Sequence, residues 1–169
     1  MPEQGLFFED FAPGMKMKGR VGRTVTDADN IWFTLLTNNS NQIHFNADYA
    51  KKSFPGKPFK GRMVVNGFLT LATVAGILVE QTSANGFMLG LRDVRFVHPV
   101  FGGDTIYAEC EVTGKRESKS SGDSGIVTLR TWGRNQRGEV LIEFTRDFMV
   151  RKAAHLGKQS PRSRPKSGA

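Results

Sequence analysis

Between Arg62 and Glu80 the chain runs from Met63 to Val79 without a single charge. Asn66 and Gly67 stand near its head, and Leu, Ala and small residues follow, so the spacing predicts a helix over 67–81. That helix is apolar on nearly every side, which predicts burial all round rather than a place on the surface. Its length approaches a membrane span, but Asn66, Gly67, Thr70, Thr73 and Gly76 interrupt it, and strand-like segments follow at once. A buried helix needs something wrapped around it, and the rest of the chain supplies strands. At the helix head, Gly67 has no side chain, so a ligand can approach backbone N–H groups that the helix leaves unpaired.

The length of 169 residues predicts one domain, residues 1–151, followed by a tail, residues 152–169. The net charge of +8 suggests nucleic acid until it is located. Six basic and no acidic residues lie from Arg151 onward, which leaves +2 over the first 150 residues. The folded part carries no aromatic–basic constellation, so no nucleic-acid partner is expected. The tail is rich in Ser, Pro, Gly, Lys and Arg and is expected to be disordered. A single cysteine, Cys110, excludes an internal disulfide and a cysteine-only metal cage. The start lacks a basic n-region and an apolar h-region, so a cytoplasmic protein is expected, with no membrane partner.

Along the chain, Lys18 to Val25 reads as a weak first strand. Thr26 caps a helix with Asp29 three residues on, and Ile31, Trp32, Leu35 and Leu36 give that helix an apolar face. Thr37 to Asn41 favours turns. Asn46 to Ser53 is a short helix, and Phe54 to Arg62 is a basic loop. After the central helix come strands over 86–96, 105–113, 126–133 and 139–150. In the strand over 105–113, Ile106, Ala108, Cys110 and Val112 share one face. In the last strand Val140, Ile142, Phe144, Phe148 and Val150 share one face. The last three strands are expected to form an antiparallel meander, giving an α+β fold with a sheet curled around one helix. Such a sheet leaves edges and an open face, which pairing into a homodimer would cover.

Chemistry concentrates in Asn39-Ser40-Asn41-Gln42-Ile43-His44 together with Asn66-Gly67. A histidine is the side chain that exchanges a proton near neutral pH. His44 differs from His98, beside Pro99 in a turn, and from His155 in the tail, because amides precede it and a glycine-headed helix follows. No metal-ligand set is expected.

Thr37-x-Asn39-x-Asn41-x-x-His44 resembles the hydratase motif of the MaoC-like dehydratases, the (R)-specific enoyl-CoA hydratase family. Gly61-Arg62-Met63-Val64-Val65-Asn66-Gly67, Val94-Arg95-Phe96-x-x-Pro99-Val100 and Gly103-Asp104-Thr105 match in order and spacing. The resemblance covers about residues 7–150. It implies a hot-dog fold, dimerisation, and the addition or removal of water across the C2–C3 bond of an acyl-CoA, with no cofactor beyond the CoA of the substrate. By the same resemblance His44 is an acid–base group, and the Gly67 N–H polarises the thioester oxygen. Asn41 shapes the loop, and Val65 and Asn66 contact substrate. The family has an aspartate where this chain has Asn39, and an amide has no titratable group to act as a base. Asn39 is therefore expected to orient a water. Asn39 and the run Lys115 to Ser120 also resemble a subgroup akin to the mesaconyl-CoA and β-methylmalyl-CoA hydratases, which implies a branched or dicarboxylic acyl group. Lys57, Lys60 and Arg62 read either as a solvated basic loop or as the attraction for CoA phosphates or a substrate carboxylate. Two other readings remain open: an acyl-CoA thioesterase, and a non-catalytic acyl-CoA-binding protein.

Overall fold

The computed structural model describes residues 5–154. Its centre is an antiparallel meander of three long strands, β4 (Thr105–Glu117), β5 (Ser124–Arg134) and β6 (Val140–Arg151). Strand β3 (Gly86–Phe96) pairs antiparallel with β6 at one side. At the other side β1 (Lys16–Lys18) and β2 (Arg23–Thr24) both pair with β4. The first strand of the sequence reading is thus two short pieces. Between them the chain runs close against the helix: a Cβ on Gly19 would sit 2.2 Å from Ile77 Cγ2.

Alternation fixes the inner face. Ile106, Ala108, Cys110 and Val112 of β4 are all buried, as are Val127 and Leu129 of β5. In β6 the expected face needs correction. A register shift between Gly133 and Arg134 takes Val140 out of phase, and Leu141 and Ile142 are both buried. The inner face of β6 then runs Ile142, Phe144, Arg146, Phe148, Val150. Arg146 is 1% exposed; its Nε donates to Thr131 Oγ1 at 3.1 Å, and its guanidinium lies 4.8 Å from the Phe148 ring centre. Burial pulls its pKa down to about 10.

The central helix is α3 (Gly67–Ile77), continued after Leu78 by the short α4 (Val79–Thr82). It does not lie buried all round in the single chain. Thr70, Val74, Leu78 and Gln81 form one buried stripe against the sheet, while Phe68 is 69% exposed. The backbones come close where Gly133 lies under Val74: a Cβ there would stand 2.4 Å from Val74 Cγ2. Phe68 at the helix head and Phe87, Leu89, Leu91 and Phe96 of the edge strand β3 are exposed apolar side chains. A curved antiparallel sheet laid against one helix is the hot-dog arrangement.

Helix α1 (Asp27–Leu36) starts at the capping box read from the sequence: Asp29 N–H donates to Thr26 Oγ1, and Thr26 N–H to Asp29 Oδ2. Its expected apolar face is not the inward one. Trp32, Leu35 and Leu36 are exposed, and Asn30 and Thr34 are fully buried. Helix α2 (Ala47–Ser53) is capped by Asn46. No helix among the described residues is long and apolar enough to cross a membrane. The chain stays tied to the fold just past residue 151: Ala153 N–H donates to Glu9 Oε2 and Lys152 Nζ to the Gly122 carbonyl. The rest of the expected tail, residues 155–169 with His155, lies outside the described residues.

Candidate active site

A cavity of about 510 Å³ opens between the head of α3, the turn carrying residues 39–44 and the segment after β3. Its walls are mostly apolar, with Phe59, Val65, Phe96 and Leu141 among them. The polar groups that reach it are Asn39, His44, Asn66, Thr70 and His98, together with the backbone at Gly67. It is large enough to take the reacting end of a small organic ligand.

His44 closes a one-turn 3-10 helix over residues 42–44, which Asn41 caps by accepting the Ile43 N–H at 3.3 Å. The His44 Nδ1 lies 2.8 Å from the Val64 carbonyl oxygen. A carbonyl only accepts, so Nδ1 carries a proton, and in the neutral ring the lone pair is on Nε2. Asn39 N–H bonds back to Thr34 O at 3.0 Å, and Asn39 Oδ1 accepts the Asn41 N–H at 2.9 Å. With its oxygen engaged in that turn, the amide has Nδ2 left to offer the cavity.

Asn66 caps α3 by accepting the Phe68 N–H at 3.0 Å. That leaves the Gly67 N–H, the first of the helix, without a partner inside the helix. A Cβ on Gly67 would come within 2.8 Å of the Phe96 ring, so glycine lets that ring lie over the helix head. The free N–H groups and the helix dipole there favour a developing negative charge.

Three segments meet through one side chain. Asn30 donates from Nδ2 to the His44 carbonyl at 2.7 Å and to the Val64 carbonyl at 3.0 Å, and its Oδ1 accepts the Asn66 N–H at 2.8 Å. Thr34, one turn on, accepts from Asn66 Nδ2 at 3.3 Å.

Of the residues singled out in the sequence, Asn39, His44, Val65, Asn66 and Gly67 meet on the cavity. Asn41, Lys60 and Arg62 do not line it. Asn41 serves the turn beneath His44, and Lys60 is exposed at a positive φ of 53°. Arg62 is held over the Phe101 ring at 4.4 Å and donates to the Gly102 carbonyl. Pro58 and Phe59 of the same basic loop do reach the cavity. The sequence reading set His98 aside and did not single out Asn30. His98 lines the cavity with its Nδ1 2.7 Å from the Val140 carbonyl, so it has the same tautomer as His44. Its signal was its place inside the Val94–Val100 segment. Asn30 gave no sequence signal, because its partners are all remote backbone groups. Among the described residues no cluster of His, Cys, Asp or Glu could hold a metal ion.

The MaoC like domain family matches residues 9–132. A mesaconyl-CoA hydratase from Cereibacter sphaeroides is 34% identical over 150 residues, covering 88% of this chain and 42% of its own. An (R)-specific enoyl-CoA hydratase from Rhodospirillum rubrum is 29% identical over 144 residues, covering 85% of this chain and 91% of its own. A solved structure described as a monoamine oxidase regulatory protein from Archaeoglobus fulgius superposes with a TM-score of 0.74 at 33% identity, covering 90% of this chain and 98% of its own. The chain spans about two fifths of the length of the mesaconyl-CoA hydratases that it matches.

Proposed function

The chain belongs to the MaoC-like domain family, and on that premise we propose that it is an acyl-CoA hydratase or dehydratase, acting on the C2–C3 bond of an enoyl-CoA thioester. The observation that carries this reading is the pairing, on one cavity, of the tautomer-fixed His44 with the glycine-headed helix at Gly67. In the hydration direction, His44 Nε2 takes a proton from water as the water oxygen bonds to C3. The electron pair of the double bond moves onto the thioester as an enolate, whose oxygen the Gly67 N–H stabilises. The imidazolium then returns a proton to C2, so the net change is addition of one water. Dehydration is the same path reversed. Asn39 orients the water through its Nδ2, and Val65 and Asn66 form the wall beside the thioester. No cofactor beyond the CoA of the substrate enters these steps.

The relatives named mesaconyl-CoA hydratase support a branched or dicarboxylic acyl group. Lys57 and Lys60 flank Pro58 and Phe59 at the cavity, and there they favour the approach of CoA phosphates. Arg62 is committed to Phe101 and Gly102 and acts as a brace for that loop. A homodimer would cover the apolar surface of α3 and β3, and we place the protein in the cytoplasm. Asn39 favours a second reading, an acyl-CoA binder without turnover.

The test is loss of enoyl-thioester absorbance with crotonyl-, longer enoyl- and mesaconyl-CoA. Turnover by the wild type that His44→Ala abolishes, with acyl-CoA binding retained, is the expected result. Binding without hydration of any of these by the wild type selects the binder. Release of free CoA from a saturated acyl-CoA selects a thioesterase.

A further inference from the structure

We propose that Asn30 is a positioning residue that locks the His44 tautomer and fixes the His44 ring relative to the Gly67 N–H. Its kinetic consequence rests on the hydratase reading; its structural consequence does not.

The argument starts from the direction in which α1 faces. A helix with Trp32, Leu35 and Leu36 available turns them outward and buries Asn30 and Thr34 instead. Burying an amide is unfavourable unless its groups are paired. Asn30, with no exposed surface, pairs both amide protons and its oxygen with backbone groups. Those groups belong to the residue that carries the imidazole and to the segment that leads into the helix head. The amide orientation follows from the partners: flipped, its oxygen would face two carbonyls and its nitrogen an N–H.

The Val64 carbonyl is the pivot. It accepts from His44 Nδ1 at 2.8 Å and from Asn30 Nδ2 at 3.0 Å. Asn30 therefore holds the acceptor that holds the ring, while also holding the backbone of the ring's own residue. Through Asn66 N–H the same amide anchors the residue directly before Gly67. A single side chain thus sets the separation of the proton acceptor and the oxyanion donor. Catalytic groups displaced by about 1 Å lose on the order of 10²-fold in rate.

A merely structural Asn30 would affect stability alone, so the experiment separates the two. Histidine ring nitrogen shifts, read by NMR in the wild type, should show His44 with its proton on Nδ1; a proton on Nε2 overturns the proposal without any mutation. Asn30→Ser and Asn30→Asp are then compared with Thr34→Val, which removes a buried hydrogen bond to Asn66 from the same helix and leaves His44 and Val64 untouched. Folded Asn30 variants should show mixed His44 tautomers and a fall in kcat of about 10- to 100-fold with KM nearly unchanged. Thr34→Val should lower the melting temperature and leave the tautomer fixed. Asn30 variants with lower melting temperature but a wild-type tautomer and kcat overturn the proposal. If the wild type hydrates no enoyl-CoA, the hydratase reading falls, and the tautomer measurements still decide the role of Asn30.

Discussion

At Asn39 the side-chain oxygen already takes the Asn41 N–H, and the amide nitrogen carries two N–H donors that we propose serve the cavity. Aspartate would keep the turn, because a carboxylate oxygen accepts that N–H equally well, and would replace the donors by an acceptor. For Asn39→Asp we expect kcat on the best wild-type substrate to fall tenfold or more. An unchanged or raised kcat would mean that the donors are not needed and that a carboxylate–histidine pair works here. Gly67→Ala places a methyl group against the Phe96 ring, which is 54% exposed and free to swing aside. The stability change should stay within about 1 kcal/mol. The displaced ring and the methyl group crowd the helix head, so kcat should drop and KM rise. Steady-state kinetics beside a thermal melt separate the two effects, and a large loss of melting temperature with normal kinetics would contradict them.

Elements differ in how much of them the sequence declares. The capping box at Thr26, the alternation of β4 and the meander of β4, β5 and β6 depend on neighbours in sequence or on a period of two, so they were legible. The turn that carries His44 and the helix start at Gly67 were legible as well, since local sequence sets both. The inward face of α1 was not. Periodicity finds the apolar stripe, but here the polar stripe is buried because its hydrogen bonds reach residues 44, 64 and 66. The inward Arg146 in β6 was missed for a related reason: a charged residue at an inward position reads as an interruption of the pattern. Its guanidinium has Cys110, Thr131, Phe144 and Phe148 around it, and among the described residues Nη2 has no hydrogen-bond partner. Replacing a buried, incompletely paired cation by an apolar side chain of similar length should stabilise the sheet. Arg146→Met is expected to raise unfolding stability by about 1–3 kcal/mol in urea. A loss of stability would show that the cation contributes more than its burial costs.

Across the whole molecule, acid should unfold the protein by a definite route. Asp29 is held below its ordinary 3.8 chiefly by the Thr26 N–H, and Glu139 below its ordinary 4.5 chiefly by the Asn135 amide. Burial pushes Asp147 up, but the Thr128 hydroxyl and Arg92 outweigh it and hold it low. A carboxyl with a depressed folded pKa adds stability above the ordinary value, and that stability is lost as pH falls through the folded value. The urea midpoint should therefore be flat near neutrality and decline below about pH 4.5, and Asp29→Asn should blunt the decline. A midpoint that holds down to pH 3 would remove these three groups as stabilisers. The open side of the molecule has a different consequence. Phe68 and Phe96 line the cavity and are both exposed apolar side chains, so a surface that covered them would also border the pocket. If, as proposed, the protein is a hydratase that pairs through that surface, its rate per chain depends on protein concentration. Diluted below its self-association constant, it should lose specific activity, and a concentrated inactive partner with an intact surface should restore it.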